Sequence, residues 1–103
     1  MTLNDMLARL RRRLQIADGS QDELLTDLVA DASALMLAYM GREEMPPALE
    51  GVQCHLAAVL YNRLGMEGER SRSEGGVSIT VDTLPADIAA QLIPWRLGKA
   101  VSL

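Results

Sequence analysis

The chain has 103 residues, a formal net charge of −4 and 49% hydrophobic residues. This length suffices for one domain but not for two ordinary ones, and the hydrophobic content excludes a wholly disordered chain. The acidic balance argues against a dedicated nucleic-acid-binding protein, because neutralising phosphates requires a basic surface. With no Phe, one Trp and two Tyr, the core is predicted to be aliphatic.

The first predicted helix covers residues 2–14. Thr2 or Asn4 can cap its first turn. Apolar residues recur along it at helical spacing and predict one buried stripe: Leu3, Met6, Leu7, Leu10 and Leu14. Arginines crowd near its C-terminal end, where positive charge suits the helix dipole: Arg9, Arg11, Arg12 and Arg13. Two interpretations of them stay open, a solvated helix end and a patch that docks an acidic partner.

The second predicted helix covers residues 20–40. Ser20 and Glu23 have the spacing of a capping box, and Gly41 suits a left-handed C-cap. Its broad apolar face comprises Leu24, Leu25, Leu28, Val29, Ala32, Leu35, Met36 and Tyr39. Three aspartates lie off that face and predict a solvated acidic surface rather than a metal site: Asp22, Asp27 and Asp31.

The third predicted helix covers residues 47–65, with Pro47 in its first turn and Gly65 as its end. Its inward stripe comprises Leu49, Val52, Leu56, Val59, Leu60 and Leu64. The single cysteine, Cys54, is predicted to be a buried core thiol. Its neighbour His55 points about 100° away on a helix. The two therefore form no metal or catalytic pair, and His55 is predicted at the helix surface or an interface.

A long polar arm is predicted at residues 66–82. Its first half carries charged and hydroxyl side chains: Glu67, Glu69, Arg70, Ser71, Arg72 and Ser73. Val77, Ile79 and Val81 then alternate with polar residues, which is typical of a half-buried strand. Since a lone strand needs a hydrogen-bonding partner, the arm either folds back as a hairpin or pairs with a neighbouring subunit. The second arrangement is the favoured interpretation.

The last predicted helix covers residues 84–93, and a tail follows at 94–103. Asp82 or Thr83 can cap this helix, and Pro85 suits its first turn. Its apolar side comprises Ile88, Ala89, Leu92 and Ile93. Trp95 either anchors the tail to the core or faces a partner. The predicted fold is thus one mainly α domain, residues 1–103, a small four-helix bundle with a long polar arm that contains a short strand or β-hairpin.

Motifs of catalysis and of cofactor or metal binding are missing. The glycines of the arm precede no Lys-Ser or Lys-Thr, so they form no phosphate-binding loop. Glu43 and Glu44 lie in a predicted loop without the burial that tunes a catalytic carboxyl. There is no metal-ligand spacing, no signal region and no run of about 18 apolar residues. We therefore expect a protein of the cytoplasm that is not an enzyme, needs no cofactor or metal, and spans no membrane.

Five short motifs follow one another in the second half of the chain: Tyr61-Asn62-Arg63, Glu67-Gly68, Ser71 with Ser73, Gly75-Gly76, and Leu84-Pro85 with Ile88. This order resembles the small head–tail connector proteins, or head-completion adaptors, of long-tailed bacteriophages and prophages. The resemblance implies a structural virion protein that forms a ring, typically dodecameric, between the portal vertex of the head and the tail. The ring would extend the DNA channel, and DNA would pass through without sequence-specific binding.

The same resemblance implies partners and contact surfaces. The partners would be further copies of the chain, the portal protein and a downstream head-completion or tail protein, and the final location would be the virion head–tail interface. The residues implied at subunit interfaces or along the channel are Glu67, Glu69, Arg70, Ser71, Arg72, Ser73, Val77, Ile79 and Val81. The tail 97–103 is the portal contact that the resemblance implies. The residues themselves add further candidates for contact with the portal or another partner: Arg9, Arg12, Arg13, Trp95, Arg96 and Lys99. The arginine-rich first helix departs from the pattern of the family.

Two alternatives remain: a DNA-binding regulator with a helix-turn-helix, and a helical interaction module such as an antitoxin-like dimer. In the regulator only Gln53, Asn62 and Arg63 could read bases. Its second helix looks too long, and the connection 41–47 is not a tight turn. The interaction module explains the amphipathic helices but gives the arm no purpose.

Overall fold

The computed structural model describes residues 1–73 and 84–97. These residues form four α-helices: α1 (Leu3–Leu14), α2 (Asp22–Met40), α3 (Glu50–Ser73) and α4 (Ala86–Leu92). Short 3-10 turns at Pro47–Leu49 and Ile93–Trp95 flank α3 and α4. The predicted mainly α class is confirmed for this part of the chain. The predicted strand around Val77, Ile79 and Val81 lies outside the described residues, as do Asp82, Thr83 and Lys99.

α1 begins with a complete capping box. The Asp5 amide donates to Thr2 Oγ1 at 3.1 Å, and the Thr2 amide donates to Asp5 Oδ2 at 3.3 Å. Thr2 is therefore the cap, one of the two residues predicted for that role, and such a cap stabilises a helix by about 1 kcal/mol. At the other end Gln15 adopts a left-handed conformation with φ 62°, which stops the helix.

α2 begins at Asp22, two residues later than predicted. The predicted capping box at Ser20 and Glu23 is wrong, because the N-cap residue is Gln21 and its side chain makes no capping hydrogen bond. Instead the Ser20 amide donates to Asp18 Oδ1 at 3.1 Å, a local side-chain bond that holds the chain in a turn. The predicted left-handed cap at the far end is confirmed, with φ 71° at Gly41.

Two glycines are expected to respond to alanine with opposite signs. Gly41→Ala should destabilise the fold by about 1 kcal/mol, because an L side chain is strained at positive φ. Gly51→Ala should stabilise it by up to about 1 kcal/mol, because the residue lies in the first turn of α3 and the new methyl would meet Arg9 Nη1 only at 3.5 Å. Urea unfolding curves of the two variants check both signs.

α3 is longer than predicted, and Gly65 does not end it. The helix begins at Glu50, after the 3-10 turn, and continues to Ser73. Glycine inside a helix costs only about 1 kcal/mol relative to alanine, and the Met, Glu and Arg residues that follow Gly65 favour helix. The first part of the predicted arm, 66–73, is therefore helical backbone, and an irregular arm beginning at residue 66 is wrong.

α4 begins at Ala86, and Pro85 is its N-cap in an extended conformation rather than a first-turn residue. Ile88 and Leu92 are fully buried, as predicted for its apolar side. Ile93 is 56% exposed, so its predicted burial is wrong. The reason is Pro94, which cannot continue an α-helix and shifts the chain into a 3-10 turn at Ile93.

The helices pack around one aliphatic core. Arg9 lies against Gly51, and Arg13 contacts His55, so α1 and α3 run in the same direction. α2 runs opposite to both, and the Arg11–Asp22 ion pair joins its start to the end of α1. The side chains that are wholly inaccessible are Leu10, Leu25, Ala32, Met36, Met40, Cys54, Leu56, Ala57, Ile88 and Leu92. The predicted stripe of α1 holds for Met6, Leu7 and Leu10 but not for Leu3, which is 46% exposed near the start of the helix.

Candidate functional site

The described residues contain no arrangement typical of catalysis. No group of three or more His, Cys, Asp or Glu side chains in this part of the chain could hold a metal ion. Cys54 is inaccessible, as predicted, and burial raises the pKa of its thiol. A buried thiol with a raised pKa is a poor nucleophile. Among the helices described, none is long and apolar enough to cross a membrane.

The four arginines of α1 have two different environments. Arg11 Nη1 lies 2.6 Å from Asp22 Oδ1, and Arg13 Nη1 lies 2.7 Å from His55 Nδ1. Arg9 and Arg12 are exposed and form no ion pair with the side chains that the structure describes. They line a shallow depression together with Met1, Asp5 and Ala8. We call Arg9 and Arg12 the basic face.

His55 links three helices at the surface. Its Nδ1 contacts Arg13 of α1, and its Nε2 lies 3.8 Å from Asp87 Oδ2 of α4. The His55 side chain is 40% exposed, so its predicted place on a helix surface is confirmed. Both ring nitrogens face groups of the same chain. Of the predicted partner-contact residues, Arg13 is thus engaged within the protomer.

Acidic side chains follow one line along α2. Glu23, Asp27 and Asp31 stand four residues apart, so they share one side of the helix. Glu23 and Asp27 are exposed, whereas Asp31 is half-buried. Burial, and secondarily the charge of Asp27, raises the pKa of Asp31. We call these three residues the acidic face; Asp22 is not part of it, because it pairs with Arg11.

Replacing Asp31 with asparagine is expected to stabilise the protein at neutral pH. Because folding raises the Asp31 pKa above its ordinary value of 3.8, the ionised carboxylate costs stability at all pH values above the folded pKa. That cost disappears as the pH falls through the folded pKa to below 3.8. The gain from Asp31→Asn should therefore be largest at pH 7 and shrink in acid. Unfolding curves at pH 7 and at a pH below 3.8 test this. The control is Glu43→Gln, which makes the equivalent change on an exposed loop residue.

The segment after α4 is fastened to the C-terminal end of α2. Arg42 Nε donates to the Trp95 carbonyl at 2.7 Å, and its guanidinium carbon lies 5.8 Å from the centroid of the Trp95 ring. The Arg96 guanidinium carbon lies 4.7 Å from the Tyr39 ring centroid. The Leu97 amide donates to the Met40 carbonyl at 3.0 Å. Trp95 is half-buried against the core, so this geometry favours the anchoring interpretation over the partner-facing one.

The position of Gln53 argues against the alternative of a DNA-binding regulator. Gln53 is only 6% exposed, and its Nε2 donates to the Val29 carbonyl at 3.1 Å, which joins α3 to α2. A side chain used in this way cannot reach a base edge. Of the three residues named for base reading, Gln53 is buried, Arg63 is half-buried and Asn62 is exposed.

The remaining predicted site residues lie on α3 or outside the described part. The backbone of the last turns of α3 carries Glu67, Glu69, Arg70, Ser71, Arg72 and Ser73. Val77, Ile79, Val81 and Lys99 fall outside the described residues. The sequence analysis missed the roles of Arg42 and Asp87, because their partners lie far away in the sequence and no motif joins them.

Comparison with known proteins identifies a family. A family model described as phage gp6-like head-tail connector protein matches residues 4–96, which include α2, α3, α4 and all of α1 except Leu3. Searches of curated proteins and of solved structures return no match. The matched family is one of structural proteins and not of enzymes.

Proposed function

Because the chain belongs to the phage gp6-like head–tail connector family, we propose that it is the subunit of an adaptor ring between the portal vertex of the head and the tail. The family match along residues 4–96 is the observation that carries this proposal. The ring, dodecameric by the family resemblance, extends the DNA channel. It binds the portal protein on one side and a downstream head-completion or tail protein on the other.

The length of α3 supports a role between subunits. Gln53 of α3 lies opposite Val29 of α2. Val29 is seven residues from the start of α2, whereas Gln53 is 20 residues from the end of α3. At about 1.5 Å per residue, α3 extends roughly 20 Å beyond the start of α2. Its last turns, with Glu67 to Ser73, therefore exceed the length that α2 can cover. We assign them, with Val77 to Val81, to the contact with the neighbouring subunit or to the channel wall.

The fastening of Leu97 supports a portal contact by the tail 97–103. The Leu97–Met40 hydrogen bond fixes Leu97 at the C-terminal end of α2. Two apolar side chains are exposed near that point, Ile93 at 56% and Leu97 at 37%. Exposed apolar side chains grouped at one place on the bundle support a protein contact there.

Size-exclusion chromatography with light scattering tests this function, on the chain alone and mixed with the portal protein encoded nearby. A closed ring, or co-elution with the portal, is the expected result, and deletion of residues 69–81 should abolish it. Circular dichroism of the deletion variant verifies that the remaining helices fold. A stable dimer that ignores the portal and shifts duplex DNA would overturn the proposal in favour of the regulator.

A further inference from the structure

We propose that the basic face of one copy of this chain docks on the acidic face of a second copy. This inference rests on the proposed ring function and names the two surfaces that form the repeating contact. Arg9 and Arg12 would lie against Glu23, Asp27 and Asp31 of the next subunit. The occupant of each face is thus another molecule of the same protein.

The basic face is available to a second molecule. Arg9 and Arg12 stand three residues apart, so they project from the same side of α1 about 5 Å from each other. The one carboxylate in the depression beside them, Asp5, already accepts the Thr2 amide in the capping box. Among the described side chains the two guanidinium groups thus have no carboxylate partner, and arginine suits binding to carboxylates of a second molecule because of its planar, multiple donors.

The acidic face has the complementary charge and spacing. Successive carboxylates stand four residues apart, or about 6 Å along the helix, close to the separation of the two arginines. Asp31 is half-buried and lies beside Asp27, which together raise its pKa, so a positive charge from a second molecule would relieve the cost of its ionisation. Ala30 and Ala34 are exposed on the same helix and leave room beside the carboxylates for long arginine side chains.

The basic face and the acidic face form no ion pair within one protomer. Arg9 lies against Gly51 of α3, and neither Arg9 nor Arg12 pairs with a described carboxylate of α2. The ion pair that does join α1 to α2 within the chain uses other residues, Arg11 and Asp22. Two different and complementary surfaces of one subunit form a heterologous contact, which repeats around a ring when its rotation closes. Complementary charges also fix the register of such a contact.

Two charge-reversed variants test the proposal, R9E/R12E and E23K/D27K, and all four positions are exposed. Each variant alone would place like charges at every contact, and we expect assembly to fall at least about tenfold. An equimolar mixture should assemble again, because the two variants can alternate. Each contact would then join either the natural pair of faces or a pair reversed at positions 9, 12, 23 and 27. Light scattering measures assembly, with the portal protein added if the wild-type chain requires it.

The control matched to E23K/D27K is E43K/E44K, which makes the same change of net charge on exposed residues of the loop after α2. It should assemble like the wild type, and all variants should keep their circular dichroism spectra. This inference would be overturned if either charge-reversed variant assembled as well as the wild type, or if the two variants failed to assemble when mixed. Neither outcome would contradict the proposed ring function. A wild-type chain that neither forms a ring nor joins the portal would instead overturn the proposed function.

Discussion

Leu10→Ala is expected to destabilise the protein by about 2–5 kcal/mol. Leu10 is wholly inaccessible in the core between α1 and its neighbours, so its truncation removes buried surface and leaves a cavity. A small domain has a total stability of only about 5–15 kcal/mol. This loss would therefore leave a marginally stable fold. Urea unfolding should show a lower midpoint, with an unchanged slope of the unfolding free energy against urea concentration.

Leu3→Ala is the matched control, since it makes the same chemical change on the same helix. Leu3 is 46% exposed, so the expected loss is below about 1 kcal/mol. Equal losses at the two positions would contradict the described packing of α1. The comparison belongs at protein concentrations where the chain is a monomer, because a subunit contact would add burial.

Trp95→Ala is expected to cost roughly 2–4 kcal/mol, somewhat less than a fully buried tryptophan. The indole ring is half-buried against the core and lies beside the Arg42 guanidinium. Its removal would loosen the segment after α4 from the end of α2. Thermal unfolding of the purified chain, without any partner, measures the loss.

Arg96→Ala provides the comparison for Trp95. Arg96 is exposed and contributes a cation–π contact with Tyr39, worth about 0.5–1 kcal/mol at an exposed site. Trp95→Ala should thus destabilise several times more than Arg96→Ala. If Trp95→Ala left stability unchanged and abolished portal binding, the indole of Trp95 would be a contact with the portal, and its anchoring role would be wrong.

The sequence predicted the helices well because their signals are local. Apolar residues at helical spacing identify the buried side of α2 without knowledge of what packs on it. Glycine is less decisive, as Gly41 and Gly65 illustrate. A glycine permits a left-handed cap but does not enforce one, so only the structure distinguishes the helix end at Gly41 from the uninterrupted helix at Gly65.

Capping and surface contacts show the same limit. Thr2 and Ser20 each begin a segment with capping-box spacing, yet only Thr2 uses it, because Asp18 provides Ser20 with a competing local bond. The contacts of His55 and Trp95 join residues 42 and 53 positions apart. No periodicity in one sequence encodes such pairs, so the engaged state of Arg13 and the anchoring of Trp95 had to come from the structure.

The sequence indicated the family more readily than it indicated the residues of the subunit contacts. The ordered motifs from Tyr61 to Ile88 indicated the connector family, and the family match on residues 4–96 confirms it. The assignment of Glu67 to Val81 to subunit contacts stays a prediction. Contacts between subunits depend on the relative placement of two molecules, which the pattern of one chain does not contain.

The four arginines of α1 differ in whether they contact side chains of their own chain. Arg11 and Arg13 do, whereas Arg9 and Arg12 are exposed and form no ion pair with the side chains that the structure describes. The exposed pair is therefore expected to accept substitution with little loss of stability. Complementary charge swaps at these positions and on α2 would yield orthogonal subunits that co-assemble only with each other, a means of programming the order of different subunits around a single assembly.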